Sequence, residues 1–312
     1  MPEPGLFILA GPTAVGKTGL AIRLAQEFSA EIVGADSVQV YRGLDLGSAK
    51  PTPAEQAQAR HHLIDVADPA AGFSAARFAE LAAAAVAEIT ARGRRVIVAG
   101  GTGLYLRALV YGLAPAPPGD PALRERLARD WDQEGATALH ARLAEQDPGA
   151  AARLHPNDRQ RVLRALEVAL LTGRPLSAWQ AAHGFREPRY PHVMVGLARP
   201  RAELLERIAQ RAREMFDQGL VEEVAGLLAR GVPPDAPGLA TLGYRQAVAL
   251  LEGRLAREAA VADTIAATGA YAKRQMTWFR AVPGIHWHHP ADYPGILARA
   301  RAWWPGAGGA AG

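Results

Sequence analysis

The segment that most constrains the fold is an eight-residue glycine loop near the N-terminus, GPTAVGKT over residues 11–18. It follows the apolar run 6–10 and precedes apolar residues at helical spacing, which predicts a strand, a tight loop and a helix. In such a loop the backbone N–H groups and the helix N-terminus face a phosphate, a lysine adds a point charge, and a threonine can reach Mg²⁺. We therefore expect a diphosphate or triphosphate to bind Gly11, Pro12, Thr13, Ala14, Val15, Gly16, Lys17 and Thr18, with Thr18 as the metal ligand.

Further strands and helices alternate along the chain. Residues 31–35 and 95–99 are short apolar runs that predict two more buried strands, and Ser74 can cap a helix that extends to about residue 92. We therefore predict an α/β fold, a P-loop NTPase-like parallel sheet with helices on both faces. The later part of the chain predicts helices at about 201–217, 219–230, 243–252 and 257–280, and short strands at 192–197 and 285–287.

One stretch separates two parts of different character. Residues 113–121 hold four prolines and a glycine, which cannot continue a helix or a central strand. From about 122 to 182 the pattern is helical, without a convincing strand. We therefore predict an all-helical insertion domain over 113–190. The predicted α/β core is discontinuous and comprises 1–112 and 191–304, followed by a flexible tail over 305–312.

The composition narrows the possible chemistry. The chain has no cysteine, which excludes disulfides, thiolate zinc sites, iron–sulfur clusters and cysteine nucleophiles. The net charge of +4 suits a polyanionic partner without demanding one. Of the 35 basic residues only Lys17, Lys50 and Lys273 are lysines, which suggests that a compact ammonium matters there, unless their placement is coincidence. The histidines at 61, 62, 286, 288 and 289 lack ligand partners, and we expect them at the surface or in packing.

The positions of the carboxylates near the loop argue against ordinary nucleotide hydrolysis. The strand 95–99 ends in Gly-Gly-Thr-Gly instead of the carboxylate that commonly follows this strand in P-loop NTPases, which weakens ATP as the default ligand. Asp36 follows the strand 31–35 and is suited to accept a proton from a nucleophile beside the bound phosphates. It could instead support a magnesium ion or cap a turn.

Six segments together resemble the signature segments of the tRNA dimethylallyltransferase family. They are GPTAVGKT, DSVQVYRGLDLGSAKP (36–51), AGGTGLY (99–105), HPNDRQRVLRALE (155–167), LGYRQ (242–246) and AKRQMTWFR (272–280). They occur in the family's order and at its spacing, so the resemblance covers nearly all of the chain to about residue 290. Val15 stands where the family often has serine, which could cost one polar contact to the substrate diphosphate. Leu46 and Ser48 stand where isoleucine and threonine are common.

This resemblance implies an activity. A dimethylallyl group would pass from dimethylallyl diphosphate to N6 of the adenosine 3′ of the anticodon, in tRNAs that read codons beginning with U, with release of diphosphate. Asp36 would accept the amine proton, Thr102 would contact the target nucleotide or merely serve its turn, and Mg²⁺ would be the cofactor. The family places a diphosphate-contacting arginine on the helix 201–217. Our assignment is Arg211, with Arg207 one turn earlier as the substitute.

The resemblance also implies contacts to the anticodon stem-loop of tRNA in four segments, one of them in the insertion domain. Cations mixed with aromatics in the last segment suit phosphates and bases. The alternative for each segment is a solvated face packed by core aromatics. The residues concerned are Asp36, Ser37, Val38, Gln39, Gln160, Arg161, Val162, Leu163, Arg164, Ala240, Thr241, Leu242, Gly243, Tyr244, Arg245, Lys273, Arg274, Gln275, Met276, Thr277, Trp278, Phe279 and Arg280.

Other functional classes stay open on the residues alone. An ATP-dependent kinase of a small metabolite shares the P-loop, the sheet and an acidic residue after the second strand, and a nucleic-acid-binding module that hydrolyses a nucleoside triphosphate is a further alternative. The N-terminal apolar stretch is too short for a membrane span and lacks the basic flank of a signal peptide. We therefore expect a cytoplasmic monomer whose partners are tRNA and dimethylallyl diphosphate, without a membrane.

Overall fold

The computed structural model describes residues 5–305, which form six strands and thirteen helices. The strands are β1 (Leu6–Ala10), β2 (Ala30–Ala35), β3 (His61–His62), β4 (Arg95–Gly100), β5 (His192–Leu197) and β6 (His286–His288). The helices are α1 (Lys17–Glu27), α2 (Pro53–Gln58), α3 (Ala75–Ala91), α4 (Gly103–Tyr111), α5 (Pro121–Gln146), α6 (Pro148–Ala151), α7 (Arg159–Thr172), α8 (Leu176–His183), α9 (Arg201–Asp217), α10 (Leu220–Ala229), α11 (Tyr244–Leu251), α12 (Arg257–Arg280) and α13 (Tyr293–Trp303).

All six strands form one parallel sheet in the order β3-β2-β4-β1-β5-β6. The predicted α/β class with its parallel sheet is therefore confirmed. Strand β1 lies between β4 and β5, with Leu6 paired to Val96 on one side and to His192 on the other. Because the strands are parallel, the loops that follow β1, β2 and β4 leave the same edge of the sheet.

The chain divides into two compact units. The first contains the sheet and comprises the residues up to Val110 together with those from Arg189 onward. The second, Tyr111–Pro188, is entirely helical in its regular elements. Of the tail predicted over 305–312, residues 306–312 lie outside the part that the structure describes.

Four elements were not predicted: the short helices α2 and α4, strand β3 and helix α13. Strand β3 is only two residues long, and its His62 Nε2 lies 2.6 Å from Glu31 Oε2, so this histidine packs and forms a hydrogen bond at the sheet edge. Helix α13 was missed although Asp292 caps it by accepting from the Gly295 N–H at 3.0 Å. Trp304, directly after this helix, packs against Phe7 and Phe28 with ring centroids 5.4 and 5.3 Å apart.

The helical unit has its own core around α5 and α7, which includes Leu139, Leu143, Val162 and Leu166. Within this unit the fully buried Asp147 caps α6 and accepts from the Ser177 N–H at 2.9 Å. No helix within residues 5–305 is long and apolar enough to cross a membrane.

Candidate active site

The glycine loop connects β1 to α1 with the geometry that its sequence predicts. Gly16 has a φ of +108°, a left-handed conformation that favours glycine, and α1 begins at the next residue, Lys17. The outer side of the loop is held by arginines: Arg199 Nε donates to the Val15 carbonyl at 2.9 Å and Arg207 Nε to the Ala14 carbonyl at 3.0 Å. With its carbonyls bonded on that side, the loop is fixed in shape before a ligand binds.

Lys17 is folded back onto its own loop. Its Nζ donates to the carbonyls of Gly11 and Pro12 at 2.9 and 2.8 Å. Burial lowers the pKa of Lys17 to about 8, while the charge of Asp36 opposes that shift and Arg211 adds to it. A bound diphosphate would favour the protonated amine, since opposite charges stabilise each other.

Val15 requires a correction. Its side chain is fully buried in the hydrophobic cluster beneath the sheet edge, together with Leu197 and Leu20. It therefore does not face the phosphate cradle, and the expected loss of a polar contact from having valine in place of serine is wrong for this side chain. The Val15 backbone, by contrast, remains part of the loop.

Asp36 follows β2 and is half-buried. Its Oδ1 accepts the backbone N–H groups of Val38 at 2.8 Å and Gln39 at 3.3 Å, so a turn fixes the carboxylate. This turn capping was one of the alternatives for Asp36. It is compatible with proton transfer because a carboxylate has two oxygens.

Thr102 lies in the turn after β4 and contacts the residue next to Asp36. Its Oγ1 accepts the Ser37 N–H at 3.1 Å and lies 3.4 Å from Ser37 Oγ. Tyr271 of α12 is hydrogen-bonded to the same two side chains, and burial raises the pKa of its phenol. The turns after β2 and β4 are therefore joined beside the carboxylate.

Arg211 is the better placed of the two candidate arginines on α9. Its Nη2 donates to the Thr13 hydroxyl, and it is half-buried, whereas Arg207 is exposed. Burial lowers the pKa of Arg211, with Asp36 acting in the opposite direction. Arg211 thus brings a positive charge to the cavity side of the loop.

Two cavities open at this edge of the sheet. The first, about 280 Å³, is lined by the glycine loop, by Thr18 and by the two candidate arginines of α9, Arg207 and Arg211. The second, about 340 Å³, is lined by residues of α9, α11 and α12 and by the turn before α11. The two cavities share the lining residues Thr13, Asp36, Ser48 and Arg211.

The segment after Asp36 is anchored by buried polar contacts. Gln39 Nε2 donates to the carbonyls of Ser48 and Ala49 at 3.2 and 3.0 Å. The ammonium of Lys50 is buried and bonded to Asp45 at 2.5 Å and to Asp65 at 2.6 Å. Enclosure of this kind suits a compact ammonium, as the scarcity of lysines suggested.

The segment 240–245 divides into accessible and buried residues. Ala240, Thr241, Leu242, Gly243 and Arg245 line the second cavity. Tyr244 is fully buried, and its hydroxyl donates to Glu223 Oε1 at 2.7 Å. A side chain packed in the core cannot reach RNA, so Tyr244 is removed from the expected contacts.

The segment 273–280 alternates in the same way along α12. Lys273, Arg274, Thr277 and Arg280 are exposed, and Arg274 lines the second cavity. Met276 and Trp278 are half-buried.

For two further side chains of this segment, the expected contact to RNA is wrong. Phe279 is fully buried in the core, and Gln275, at 6% exposure, is bonded to the glycine loop. Both are therefore removed from the expected RNA contacts.

The predicted residues of the helical unit lie on the first two turns of α7. Gln160 and Arg161 are exposed, and Arg161 Nε donates to the capping residue Asp158 at 2.6 Å. Arg164 donates to the buried Glu167 at 2.6 Å. Val162 and Leu163 are core residues of this unit, so their side chains are also removed from the expected contacts.

Sequence reasoning missed three contributors to the site: Arg199, Glu223 and Tyr271. Arg199 lies two residues after the end of β5, and its position after a parallel strand was the signal that could have found it. Glu223 accepts hydrogen bonds from the backbone N–H groups of Asp45 and Leu46 at 3.1 and 2.9 Å. No local sequence pattern predicts a contact between residues so far apart in the chain.

The donors for a divalent cation are few. Within residues 5–305 no group of three or more His, Asp or Glu side chains could hold a metal ion by itself. Thr18 and Asp36 nevertheless line the same cavity. One hydroxyl and one carboxylate, completed by phosphate oxygens and water, form the kind of oxygen set that Mg²⁺ accepts.

The family described as IPP transferase matches residues 39–282. A tRNA dimethylallyltransferase of Geobacter sulfurreducens is 48% identical over 292 residues, which cover 93% of this chain and 94% of the relative.

Two solved structures are similar over almost the whole chain. The full-length tRNA isopentenylpyrophosphate transferase of Bacillus halodurans is 36% identical with a TM-score of 0.72, covering 96% of this chain and 97% of its own. A eukaryotic dimethylallyltransferase acting on tRNA is 25% identical with a TM-score of 0.79, covering 96% of this chain and 78% of its own.

Proposed function

The chain belongs to the IPP transferase family, and from that premise we propose that it transfers a dimethylallyl group from dimethylallyl diphosphate to tRNA. The acceptor is N6 of the adenosine 3′ of the anticodon, in tRNAs that read codons beginning with U. The observation that carries this proposal is the pair of cavities that share Thr13, Asp36 and Arg211. The diphosphate enters from the loop side and the adenosine from the side of α11 and α12.

The reaction needs a good leaving group and a base, because the lone pair of the adenine amine is delocalised into the ring. The N6 lone pair forms a bond to the allylic carbon while the bond from that carbon to the diphosphate oxygen breaks. The loop amides, Lys17 and Arg211 stabilise the charge that grows on the departing diphosphate. Charge stabilisation at the leaving group is therefore the main task of the first cavity.

Asp36 accepts the proton that the amine loses. Its Oδ1 is occupied by two backbone N–H groups, so we assign Oδ2 as the accepting atom. Thr102, bonded to Ser37, holds the adjoining turn and contacts the target nucleotide. The adenosine must leave the stacked anticodon loop before its amine reaches this carboxylate.

Mg²⁺ is the proposed cofactor, with Thr18 as its protein ligand in the first cavity. When bound, it would neutralise negative charge on the diphosphate oxygens. The proposed RNA contacts are the exposed side chains of α12 and of the segment 240–245, the turn at 36–39, and Gln160, Arg161 and Arg164 of the helical unit.

The test uses unmodified tRNA, Mg²⁺ and either labelled dimethylallyl diphosphate or γ-labelled ATP. Label that enters tRNA from the prenyl donor, at the adenosine next to the anticodon, is the expected result. Transfer of the γ-phosphate to a small molecule would support the kinase alternative and overturn the proposal. Release of labelled phosphate that depends on RNA would favour the hydrolase.

A further inference from the structure

The amide of Gln275 joins two loops that lie far apart in the sequence. On the buried face of α12, its Oε1 accepts the Thr13 N–H at 2.9 Å, and its Nε2 donates to the Gly101 carbonyl at 2.9 Å. The side chain is only 6% exposed, so water cannot easily replace either bond. One glutamine thereby ties α12 to the glycine loop and to the turn after β4.

The fit around this contact is close. A Cβ added to Gly101 would lie 2.3 Å from Gln275 Nε2, and one added to Gly103 would lie 2.4 Å from the ring of Trp278. A side chain at either position would therefore force Gln275 or Trp278 to move. The two glycines allow α12 to approach this closely.

The other side of α12 carries positive charge. Lys273, Arg274 and Arg280 are exposed, whereas Ala272, Gln275 and Phe279 form the buried face. The exposed cations are the ones that the proposed function assigns to RNA. A single stretch of helix thus has RNA-facing cations outside and the contact to the phosphate loop inside.

Thr13 links the Gln275 contact to the residue that is assigned to the diphosphate. Its backbone N–H is held by Gln275 and its hydroxyl by Arg211, the arginine assigned to the diphosphate. A displacement of α12 would therefore move the loop residue that orients Arg211. Linkage requires that any such coupling between two ligands be equal in both directions.

Resting on the proposed function, we infer that Gln275 is a positioning residue that couples RNA binding on α12 to diphosphate binding in the glycine loop. Binding of RNA to the exposed cations holds α12 in the position that Gln275 transmits to Thr13. Each ligand then binds more tightly when the other is present.

The experiment measures the dissociation constants of inorganic pyrophosphate and of an anticodon stem-loop RNA, each alone and with the other at saturation. In the unaltered protein each ligand should tighten the other by the same factor, about fivefold or more. Gln275→Met keeps the length of the side chain and removes both hydrogen bonds. It should leave the affinity for RNA alone within about threefold, weaken pyrophosphate about tenfold, and bring the coupling factor close to one.

The matched control is Gln58→Met on α2, where the glutamine amide also donates to a carbonyl but lines neither cavity. It should retain the full coupling. Unchanged coupling in Gln275→Met, no coupling in the unaltered protein, or equal weakening of both ligands with a lower melting temperature would each overturn the inference.

If Gln275→Met does not fold, Gln275→Asn serves instead, because it keeps the amide but is one methylene too short to reach both partners. It should also lose the coupling, and full coupling in this variant would contradict the inference. Binding is measured without turnover, so a failure of prenyl transfer would overturn the proposed function while leaving the coupling measurable.

Discussion

The glycine loop and helix α12 border the same site but use their residues in opposite ways. In the loop the backbone faces the ligand, and the side chain of Val15 is buried in the core. In α12 the backbone N–H and C=O groups bond to each other within the helix, so only side chains can bind a ligand. These side chains alternate between the core and the surface. A backbone site tolerates a changed side chain, whereas a helix-face site depends on each exposed residue.

The largest effect is expected from Asp36→Asn, which tests a side chain at the junction of the two regions. The amide keeps an oxygen for the turn but cannot accept the amine proton, so kcat should fall by about 10²–10⁴-fold. Affinity for the stem-loop RNA should stay within about threefold. Asp68→Asn is the control, since Asp68 caps a similar turn by accepting from Ala70 N–H at 2.8 Å. Near-normal turnover by Asp36→Asn would remove this residue as the base.

The next effect separates the two arginines that contact the loop from α9. Arg211→Met should lower kcat/KM for the prenyl diphosphate by about 10²-fold, because a charge aimed at the leaving group is lost. Arg207→Met should lower it only about fivefold, since this exposed residue bonds a loop carbonyl. Steady-state kinetics of both variants decide between them. The reverse order would transfer the assignment to Arg207.

The Lys17 ammonium should make diphosphate binding to the loop depend on pH, because the loop uses this charge in addition to its backbone amides. Its pKa is lowered to about 8 in the free protein, so above that pH a proton must be taken up before the diphosphate binds. The dissociation constant of pyrophosphate should therefore rise about tenfold per pH unit above 8, and not below it. Calorimetry in buffers of different ionisation enthalpy would detect the uptake. Lys17→Met should bind weakly without this slope, and the same slope in that variant would contradict the assignment.

Smaller changes are expected along α12. Lys273→Ala should weaken RNA binding about threefold and reduce the slope of log K against log salt by about one, since one phosphate contact is lost. Phe279→Leu, on the buried face, should instead cost about 1 kcal/mol of unfolding free energy and leave the salt slope unchanged. Binding titrations at several salt concentrations measure both. An equal effect of the two variants on the slope would break the distinction between the faces.

The smallest catalytic effect is expected from Val15→Ser. The hydroxyl would be buried among apolar side chains, which should lower the unfolding free energy by about 2 kcal/mol. The KM for the prenyl diphosphate should change less than twofold, because the backbone still faces the ligand. Chemical denaturation and kinetics test the two halves of this prediction. A tenfold change in KM would show that the loop depends on this side chain after all.

Much of the fold could be predicted because its signals are local. The bounds of α9 and α12 agree with the predicted 201–217 and 257–280, since long amphipathic patterns are the most reliable signal. Strand β3 was not predicted because two residues are too few to show a periodic pattern. Helix α13 escaped although Asp292 followed by a proline at its start was a readable signal.

The site could be predicted less completely, for a physical reason. The glycine loop, Asp36 and Thr102 follow strands, so topology alone brings them to one edge. The roles of Tyr244 and Gln275 depend on which way a helix turns in the folded chain. Their partners, Glu223 and Thr13, lie 21 and 262 residues away, beyond the reach of any motif.

The central place of β1 in the sheet has a consequence for synthesis on the ribosome. Its neighbour β4 emerges early, but its other neighbour, β5, ends at Leu197, after the whole helical unit has been translated. The glycine loop therefore follows a strand that lacks its neighbour β5 while about 80 residues of the helical unit are translated. Nascent chains stalled before β5 should remain open to protease at β1, and protection there would contradict this order.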